Sequence, residues 1–432
     1  MTTLPKEINY IPKLAGLPSN TTCFSAVVAP SNGQSFFDSS IVQFDLPARS
    51  YLVPGSLYLR YKTNVVFPGI QTSLMKGTPA YTPIQRLETI VGSQIVESIQ
   101  SYNVLANMIV NTKMNVAQKS GMAAAFGYGN RANTLDLDFT NCNGKTLTST
   151  GAETIAYSVA APLGCILSNA DHLVPLGKMP SVRIQLTLDS LANMFSTATP
   201  PTGVYLTNME LCFDLVDFGS DVDAMVDGMA DENGNIYIKS QSFTSSAQTV
   251  ATGVSSNIEL VFNQRLSSIK ALITNFGRTT AATNTFLDSV DITQNNGDMQ
   301  YLVASQPYPP RAISTLNSKA SVLMELGMIW SPAHDILSNS FSISGKEFSV
   351  VSSATAAAST VFIPGKFWFG VNTERLSTNG NLLTGVSSQL SPISLRLNIG
   401  TATAEAHTVN LMCCYDAILE INVATRQVAV KQ

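Results

Sequence analysis

The chain has 432 residues, of which 45% are hydrophobic and only 12% are charged, with 25 basic and 29 acidic side chains. This composition can bury a large core over two or three domains, which excludes disorder as the main state. A net charge of -4 and the lack of any arginine before Arg49 exclude a basic nucleic-acid-binding arm, because phosphate contacts need clustered Lys and Arg.

The N-terminal segment, residues 1–19, lacks the apolar stretch of a signal peptide, so we expect synthesis without one. Its prolines Pro5, Pro12 and Pro18 favour an extended chain over a helix. No later segment has the roughly 20 strongly apolar residues of a transmembrane helix, and none is therefore predicted.

Alternation of apolar and polar side chains recurs along the chain. It is clearest in residues 57–62, 182–189 and 393–399, where every second side chain is apolar or aromatic. A period of two is typical of strands with one buried and one exposed face. The pattern predicts a mostly antiparallel β protein.

Two segments have the periodicity of helices instead. Residues 102–119 follow Ser101, a suitable N-cap, and carry apolar side chains on one stripe. Residues 311–330 have a similar stripe, and Pro309 and Pro310 stand where a helix often begins. We predict one helix in each segment.

The order of predicted elements repeats. Predicted hairpins at residues 84–100 and 286–303 precede the two helices, and the second contains a strong turn signal at residues 295–298. Near the end of each unit, residues 208–214 align with residues 410–416, so that each position lies 202 after its counterpart. This recurrence predicts a duplicated β unit of about 200 residues.

The segment that joins the two copies is acidic. Asp231, Asn233 and Asn235 have the spacing of the first three calcium ligands in an EF-hand loop. However, Ile236 stands where the loop needs glycine, and Ser242 stands where it needs glutamate. We therefore expect a solvated linker without a metal.

Candidate catalytic residues are scarce. The three histidines, His172, His334 and His407, have no second histidine at metal-ligand spacing and no nucleophile motif beside them. Paired carboxylates that meet only in the folded chain stay open as an alternative, although no spacing points to them. We expect no enzyme, with no catalytic residue, no cofactor and no metal site.

Cysteine and tryptophan offer two further candidates. The tryptophans Trp330 and Trp368 could form a sugar-stacking platform, but the alternation around Trp368 favours packing in the core. The cysteines are sparse and lack C-x-x-C spacing, which is unlike a disulfide scaffold or a zinc site. We expect buried free thiols at all of them, namely Cys23, Cys142, Cys165, Cys212, Cys413 and Cys414.

This arrangement of segments resembles that of the double jelly-roll major capsid proteins. The resemblance rests on residues 84–113, where a strand pair around Gly92 runs into the first predicted helix, and on the proline-rich residues 307–311. The family includes adenovirus hexon and the coat proteins of tailless membrane-containing phages, virophages, polinton-like viruses and large nucleocytoplasmic DNA viruses. The similarity covers most of the chain.

The resemblance implies an all-β chain of two consecutive eight-stranded antiparallel jelly rolls, with a short helix in each. The expected boundaries are an N-terminal arm at residues 1–24, a first jelly roll at 25–219, an acidic connector at 220–240, a second jelly roll at 241–421 and a C-terminal tail at 422–432.

The resemblance also implies a major capsid protein that assembles as pseudo-hexagonal homotrimeric capsomers into an icosahedral virion shell. Its expected partners are copies of itself, neighbouring capsomers, penton and minor capsid proteins and, where present, an internal membrane layer. Sequence-specific nucleic acid is not among them.

Two other classes of protein remain open at this stage. A coat protein of a small RNA or single-stranded DNA virus could combine one jelly roll with a protruding β domain, although the matched second helix argues against it. A secreted β-rich adhesin or lectin is the other alternative, and the lack of a signal peptide argues against that one.

Overall fold

The computed structural model describes residues 21–128, 144–195, 200–279, 289–316, 319–330, 342–349, 365–374 and 383–432. Antiparallel strands dominate these residues, as the alternating sequence pattern predicts. Within the same ranges, no helix combines the length and the apolar character needed to cross a membrane.

The first half of the chain forms two main sheets around a common hydrophobic core. Its strands are β1 (Thr22–Val28), β2 (Ser35–Phe37), β3 (Ile41–Leu46), β4 (Tyr51–Leu52), β5 (Tyr58–Phe67), β6 (Gln71–Lys76), β7 (Ile84–Val91), β8 (Gln94–Ile99), β9 (Gly144–Ser149), β10 (Glu153–Pro162), β11 (Val174–Pro175), β12 (Val182–Leu188) and β13 (Gly203–Asp217). One sheet has the order β10-β5-β13-β1; the short strands β2 and β4 also pair with β13, and β11 pairs with β4. The other sheet has the order β3-β12-β7-β8.

The second half repeats this plan. Its strands are β14 (Asn235–Val250), β15 (Asn257–Phe262), β16 (Ile269–Arg278), β17 (Gly297–Val303), β18 (Gln306–Ser314), β19 (Trp368–Asn372), β20 (Ile393–Ile399), β21 (His407–Asn422) and β22 (Val428–Lys431). One sheet has the order β19-β16-β21-β14, with β22 beside β21, and the other has the order β15-β20-β17-β18.

The two halves therefore have the same topology. The strands β1, β3, β5, β7, β8, β10, β12 and β13 correspond, in chain order, to β14, β15, β16, β17, β18, β19, β20 and β21. Eight strands in two four-stranded sheets with this order form a jelly roll. The predicted duplication and the predicted double jelly roll are both confirmed, and the halves are called the first and second jelly rolls below.

Alternating burial explains how each roll forms its core. In β12 every second residue is buried, and Ile184 and Leu186 are fully inaccessible to solvent. Leu395 is fully buried in the corresponding strand β20, and Trp368 is buried at the start of β19. Burial of a large apolar side chain stabilises a fold by roughly 2 kcal/mol. The preference for Trp368 as a core residue is thus confirmed.

One helix follows the β7–β8 hairpin and another follows the β17–β18 hairpin. The helices are α1 (Tyr102–Lys113), α2 (Val116–Met122), α3 (Leu191–Met194), α4 (Ser220–Gly228), α5 (Ala320–Met328) and α6 (Gly345–Phe348), with a 3-10 turn at Leu176–Lys178. The first predicted helix is interrupted at Asn115, where the side chain accepts a hydrogen bond from the backbone of Gln118 and begins α2 with a capping box.

The second predicted helix starts later than its prolines suggested. Pro309 and Pro310 lie within β18, and α5 begins only at Ala320. Proline is tolerated in β18 because this strand is at the edge of its sheet, where a missing N–H breaks no inter-strand bond on the open side. The predicted start of this helix at residue 311 was therefore wrong.

The turn of the second hairpin also differs from the prediction. Residues 295–298 do contain a turn, with Asn295 in a left-handed conformation, but it precedes β17. The hairpin itself turns at Ala304 and Ser305, both of which have positive φ. The predicted turn signal thus identified the loop before the hairpin and missed the hairpin turn.

Regular structure extends into the segments expected to be the acidic connector and the C-terminal tail. Within residues 220–240 lie helix α4 and the first part of β14, which begins at Asn235. Within residues 422–432, strand β22 pairs with β21 between Ile418 and Ile421. Of the expected N-terminal arm, residues 1–20 lie outside the described residues, and β1 begins at Thr22.

Candidate assembly surface

The residues with calcium-loop spacing, Asp231, Asn233 and Asn235, form a turn. One carboxylate oxygen of Asp231 accepts hydrogen bonds from the backbone N–H of Asn233 (2.9 Å) and Asn235 (2.8 Å), and the other accepts one from the Tyr237 hydroxyl (2.8 Å). These bonds, the one from Asn235 above all, lower the pKa of Asp231. Within the described residues, no three His, Cys, Asp or Glu side chains are grouped as metal ligands.

The two described histidines have contrasting surroundings. His172 is exposed and its Nδ1 lies 2.7 Å from a carboxylate oxygen of Asp171. His407 is buried, and this burial, together with the positive charge of Arg278, lowers its pKa to about 4. His407 is therefore neutral near pH 7. His334 lies outside the described residues.

Most of the described cysteines are buried free thiols, as expected. Burial raises the pKa of Cys165 and of Cys414 to about 12, so neither is a reactive thiolate at neutral pH. Cys212 and Cys413 are also buried. Cys23 is exposed, so the prediction of burial was wrong for it: β1 is an edge strand with an exposed surface. Cys142 lies outside the described residues.

The two jelly rolls meet where β14 of the second packs against β8 of the first. Glu97 in β8 is only 2% exposed, and its carboxylate accepts hydrogen bonds from Ser242 in β14, from the Thr89 hydroxyl (2.8 Å) and from the Ile166 backbone N–H (2.9 Å). Burial raises the pKa of Glu97, while these hydrogen bonds act in the opposite direction. The centre of this junction is thus a buried, hydrogen-bonded carboxyl group.

Hydrogen bonds on both sides of Glu97 extend the junction. The Ser245 hydroxyl donates to the carbonyl of Gln100 (2.7 Å), and the Ser240 hydroxyl donates to the carbonyl of Ile166 (2.5 Å). The backbone N–H of Asp171 donates to the carbonyl of Lys239 (2.9 Å). Because these bonds link β14 to both β8 and the segment after β10, they fix the relative orientation of the rolls.

The helices add a second contact between the rolls. The indole N–H of Trp330, just after α5, donates to the Thr112 hydroxyl in α1 (2.8 Å), and the Lys113 ammonium lies 4.4 Å from the centre of the Trp330 ring. Phe243 in β14 packs edge-on against the same ring, with centroids 6.1 Å apart. Trp330 is thus occupied in joining the rolls, an arrangement unlike a sugar-stacking platform.

Sequence reasoning missed the residues of this junction. The only signal was Glu97 itself, an acidic residue in the otherwise apolar centre of a predicted strand. Its partner Ser242 lies 145 residues further along the chain. The sequence around Ser242 does not distinguish it from the many serines that make no buried contact. The pairing depends on the packing of the two rolls, which local periodicity does not encode.

Large apolar side chains remain exposed on strand β1 and on the second roll. Phe24 is 37% exposed and Val27 is 55% exposed, both in β1. Met324 in α5 is 49% exposed, and Leu390, before β20, is 97% exposed. Exposed large apolar side chains are candidates for contacts with another protein. These residues form the candidate assembly surface.

Comparison with profiles of known protein families gives no match, and comparison with curated protein sequences gives none either. Solved structures do match. The capsid of PBCV-1 has a TM-score of 0.60 and 10% identity, over 98% of this chain and 99% of that chain. The Faustovirus major capsid protein has a TM-score of 0.61 and 8% identity, over 96% and 92% of the two chains. The mavirus major capsid protein has a TM-score of 0.53 and 10% identity, over 100% and 95%.

The described residues of the chain therefore have the double jelly-roll fold. This is the fold of the viral capsid proteins to which it is similar, and the resemblance expected from the sequence is confirmed at the level of fold. A single jelly roll with a protruding β domain is not supported, because the second unit repeats all eight strands of the first. The adhesin or lectin alternative is not favoured by these similarities either.

Proposed function

We propose that this protein is a major capsid protein, which assembles as a homotrimeric, pseudo-hexagonal capsomer in the shell of an icosahedral virion. One observation carries the proposal: two complete jelly rolls are fixed side by side in one chain by a buried junction. Three copies of such a pair supply the six edges of a hexagonal tile, and head-to-tail contacts between copies form a closed ring where the rotation from one copy to the next closes.

The surface chemistry supports a structural role. Charged residues are only 12% of the chain, and apolar side chains such as Val27 and Leu390 remain exposed. Interfaces between proteins are depleted of charge at their centres, so a weakly charged surface suits a protein with neighbours on many sides. The proposed role is non-catalytic and located in the virion.

The assembly state provides the direct test. The purified protein should have the mass of a trimer in solution, and negative-stain images should show particles with a hexagonal outline. Interfaces in such an obligate oligomer should bury more than about 2,000 Å² per pair of copies. A stable, folded monomer at micromolar concentration would contradict the proposal.

Partners beyond the chain itself are part of the proposal. We expect penton and minor capsid proteins to bind the capsomer, and a membrane layer to lie beneath the shell where the virus has one. Nucleic acid should bind weakly, because the chain has fewer basic than acidic residues. Tight binding of DNA or RNA at about 150 mM salt, where surface charges are well screened, would instead favour a small-virus coat.

A further inference from the structure

The junction between the rolls has a counterpart elsewhere on the molecule. It joins β14 to β8, and the topological equivalents of these strands are β1 and β18. Both are edge strands: among the described strands, β1 pairs only with β13, and β18 pairs only with β17. The two strands of the junction therefore each have a counterpart at an outer edge of the pair of rolls. Strand β1 of the first roll corresponds to β14 of the second, and β18 of the second roll corresponds to β8 of the first.

The register of β1 shows which residues replace those of β14. Asp214 pairs with Ser25, and its counterpart Asp416 pairs with Gln241. One residue further along, Ala26 thus stands at the position of Ser242. In the same register, Phe24 takes the place of Ser240.

The register of β18 follows from its hairpin. Both hairpins have two-residue turns, between Val91 and Gln94 in one and between Val303 and Gln306 in the other. Counting back along β7 and β17 from these turns, Thr89 corresponds to Tyr301, and their partners across the hairpin are Glu97 and Tyr308. Glu97 lies three residues after Gln94 and Tyr308 two residues after Gln306, because the register shift beside Thr89 adds one residue to β8. Tyr308 therefore stands at the position of Glu97.

We infer that β18 of one copy packs against β1 of a second copy, with Tyr308 against Ala26 and Phe24, as an apolar counterpart of the polar junction inside each chain. This inference rests on the proposed trimer and assigns the surfaces that close it. Where the inner junction has two serines and a buried carboxyl group, the outer one has a phenylalanine, an alanine and a tyrosine.

The segment before β20 extends the same correspondence. In the first roll, the segment after β10 contacts β14 through Ile166 and Asp171. Its equivalent in the second roll is the segment between β19 and β20, where Leu390 is 97% exposed. Burial of Leu390 and Phe24 against a second copy would remove apolar surface from water at both ends of the contact.

Disulfide cross-linking tests the contact directly. The double variant Ala26→Cys and Tyr308→Cys is made in a background with Cys23→Ser and Cys142→Ser, because the other cysteines are buried. Mild oxidation should convert most of the protein to covalent dimers and trimers on non-reducing gels. The matched control is Phe37→Cys with Tyr308→Cys, since Phe37 is 61% exposed on the same sheet but lies on β2. It should give no cross-link above the background of each single-cysteine variant.

A charge substitution provides a second test that does not depend on disulfide geometry. Phe24→Glu should shift the trimer to folded monomers at micromolar concentration, with an unchanged circular dichroism spectrum, whereas Phe37→Glu should stay trimeric. If the parent is a trimer but Ala26 and Tyr308 give no cross-link and Phe24→Glu stays trimeric, this inference is overturned and the proposed function stands. A monomeric parent overturns both.

Discussion

Asp416 in β21 and Asp214 in β13 occupy the same position of the two jelly rolls, yet Asp416 is buried and Asp214 is exposed. The carboxylate of Asp416 accepts a hydrogen bond from the Ser268 hydroxyl (2.8 Å) and lies 3.8 Å from the Lys239 ammonium and 3.9 Å from that of Lys270. Among the contacts described, the carboxylate of Asp214 accepts only an exposed hydrogen bond from the Ser25 hydroxyl (2.6 Å).

Asp416→Ala should lower the free energy of unfolding by about 3 kcal/mol, because the substitution removes a buried carboxylate that faces Lys239 and Lys270 and accepts a hydrogen bond from Ser268. Asp214→Ala, its matched control at the equivalent position, should change stability by less than about 1 kcal/mol. Urea unfolding at one protein concentration measures both, since stability of an oligomer depends on concentration. Equal effects of the two substitutions would contradict the assignment of Asp416 as a structural ion-pair centre.

Glu97 should make the junction between the rolls sensitive to pH. Its pKa is raised in the folded chain, so its favourable contribution is complete below the ordinary glutamate value and is lost as the pH rises through the raised pKa. Glu97→Gln should therefore reduce the loss of stability between acidic and neutral pH.

The measurement is the urea midpoint of wild type and variant at a series of pH values. Glu153→Gln is the control, because Glu153 is exposed and accepts hydrogen bonds only from nearby Thr150 among its described contacts. Parallel pH profiles for the wild type and Glu97→Gln would show that the carboxyl group makes no such contribution.

His407 should have the opposite effect to Glu97 on the pH dependence of stability: it should make stability fall as the pH decreases. Its folded pKa is lowered to about 4, so stability should be complete above the ordinary histidine value of 6.5 and should fall as the pH decreases from there towards 4. His407→Gln should remove this component, which is at most about 3 kcal/mol.

His172→Gln is the matched control, because His172 is exposed whereas His407 is buried. Thermal unfolding at pH values from 4 to 8 compares the variants, and proton NMR of the His407 ring can follow its titration directly. A His407 ring that titrates near its ordinary value in the folded protein would refute the prediction.

Deletion of residues 1–17 should leave the trimer folded but reduce the yield of assembled shells. This segment holds two lysines and one glutamate, too few charges to neutralise many phosphates, and its prolines favour an extended chain that can reach a neighbouring capsomer. Particle yield by gradient sedimentation measures the effect, and replacement of the segment with a Gly/Ser linker of equal length separates sequence from length. Unchanged yield and particle stability in both variants would exclude a clamping role.

The sequence allowed the strands to be predicted better than the helices and contacts. Alternation around Ile184 and Leu395 predicted strands correctly because burial of one face acts on every second residue. Pro309 and Pro310 misled the helix prediction, since proline suits both the first turn of a helix and an edge strand, and pairing with β17 decides between them. The contact of Glu97 with Ser242 arises only when two rolls pack, so no local pattern could show it.

The fusion of two rolls in one chain has an evolutionary consequence. In a ring of identical single rolls, one substitution would alter every junction at once, and a change that strengthened one contact would be imposed on all. Here Ser242 and Ala26 occupy equivalent positions but are encoded separately, so alternate junctions of the proposed ring can change independently. The junction within each chain can keep its two rolls in a fixed orientation, while substitutions at the junction between copies alter the affinity of the copies for one another.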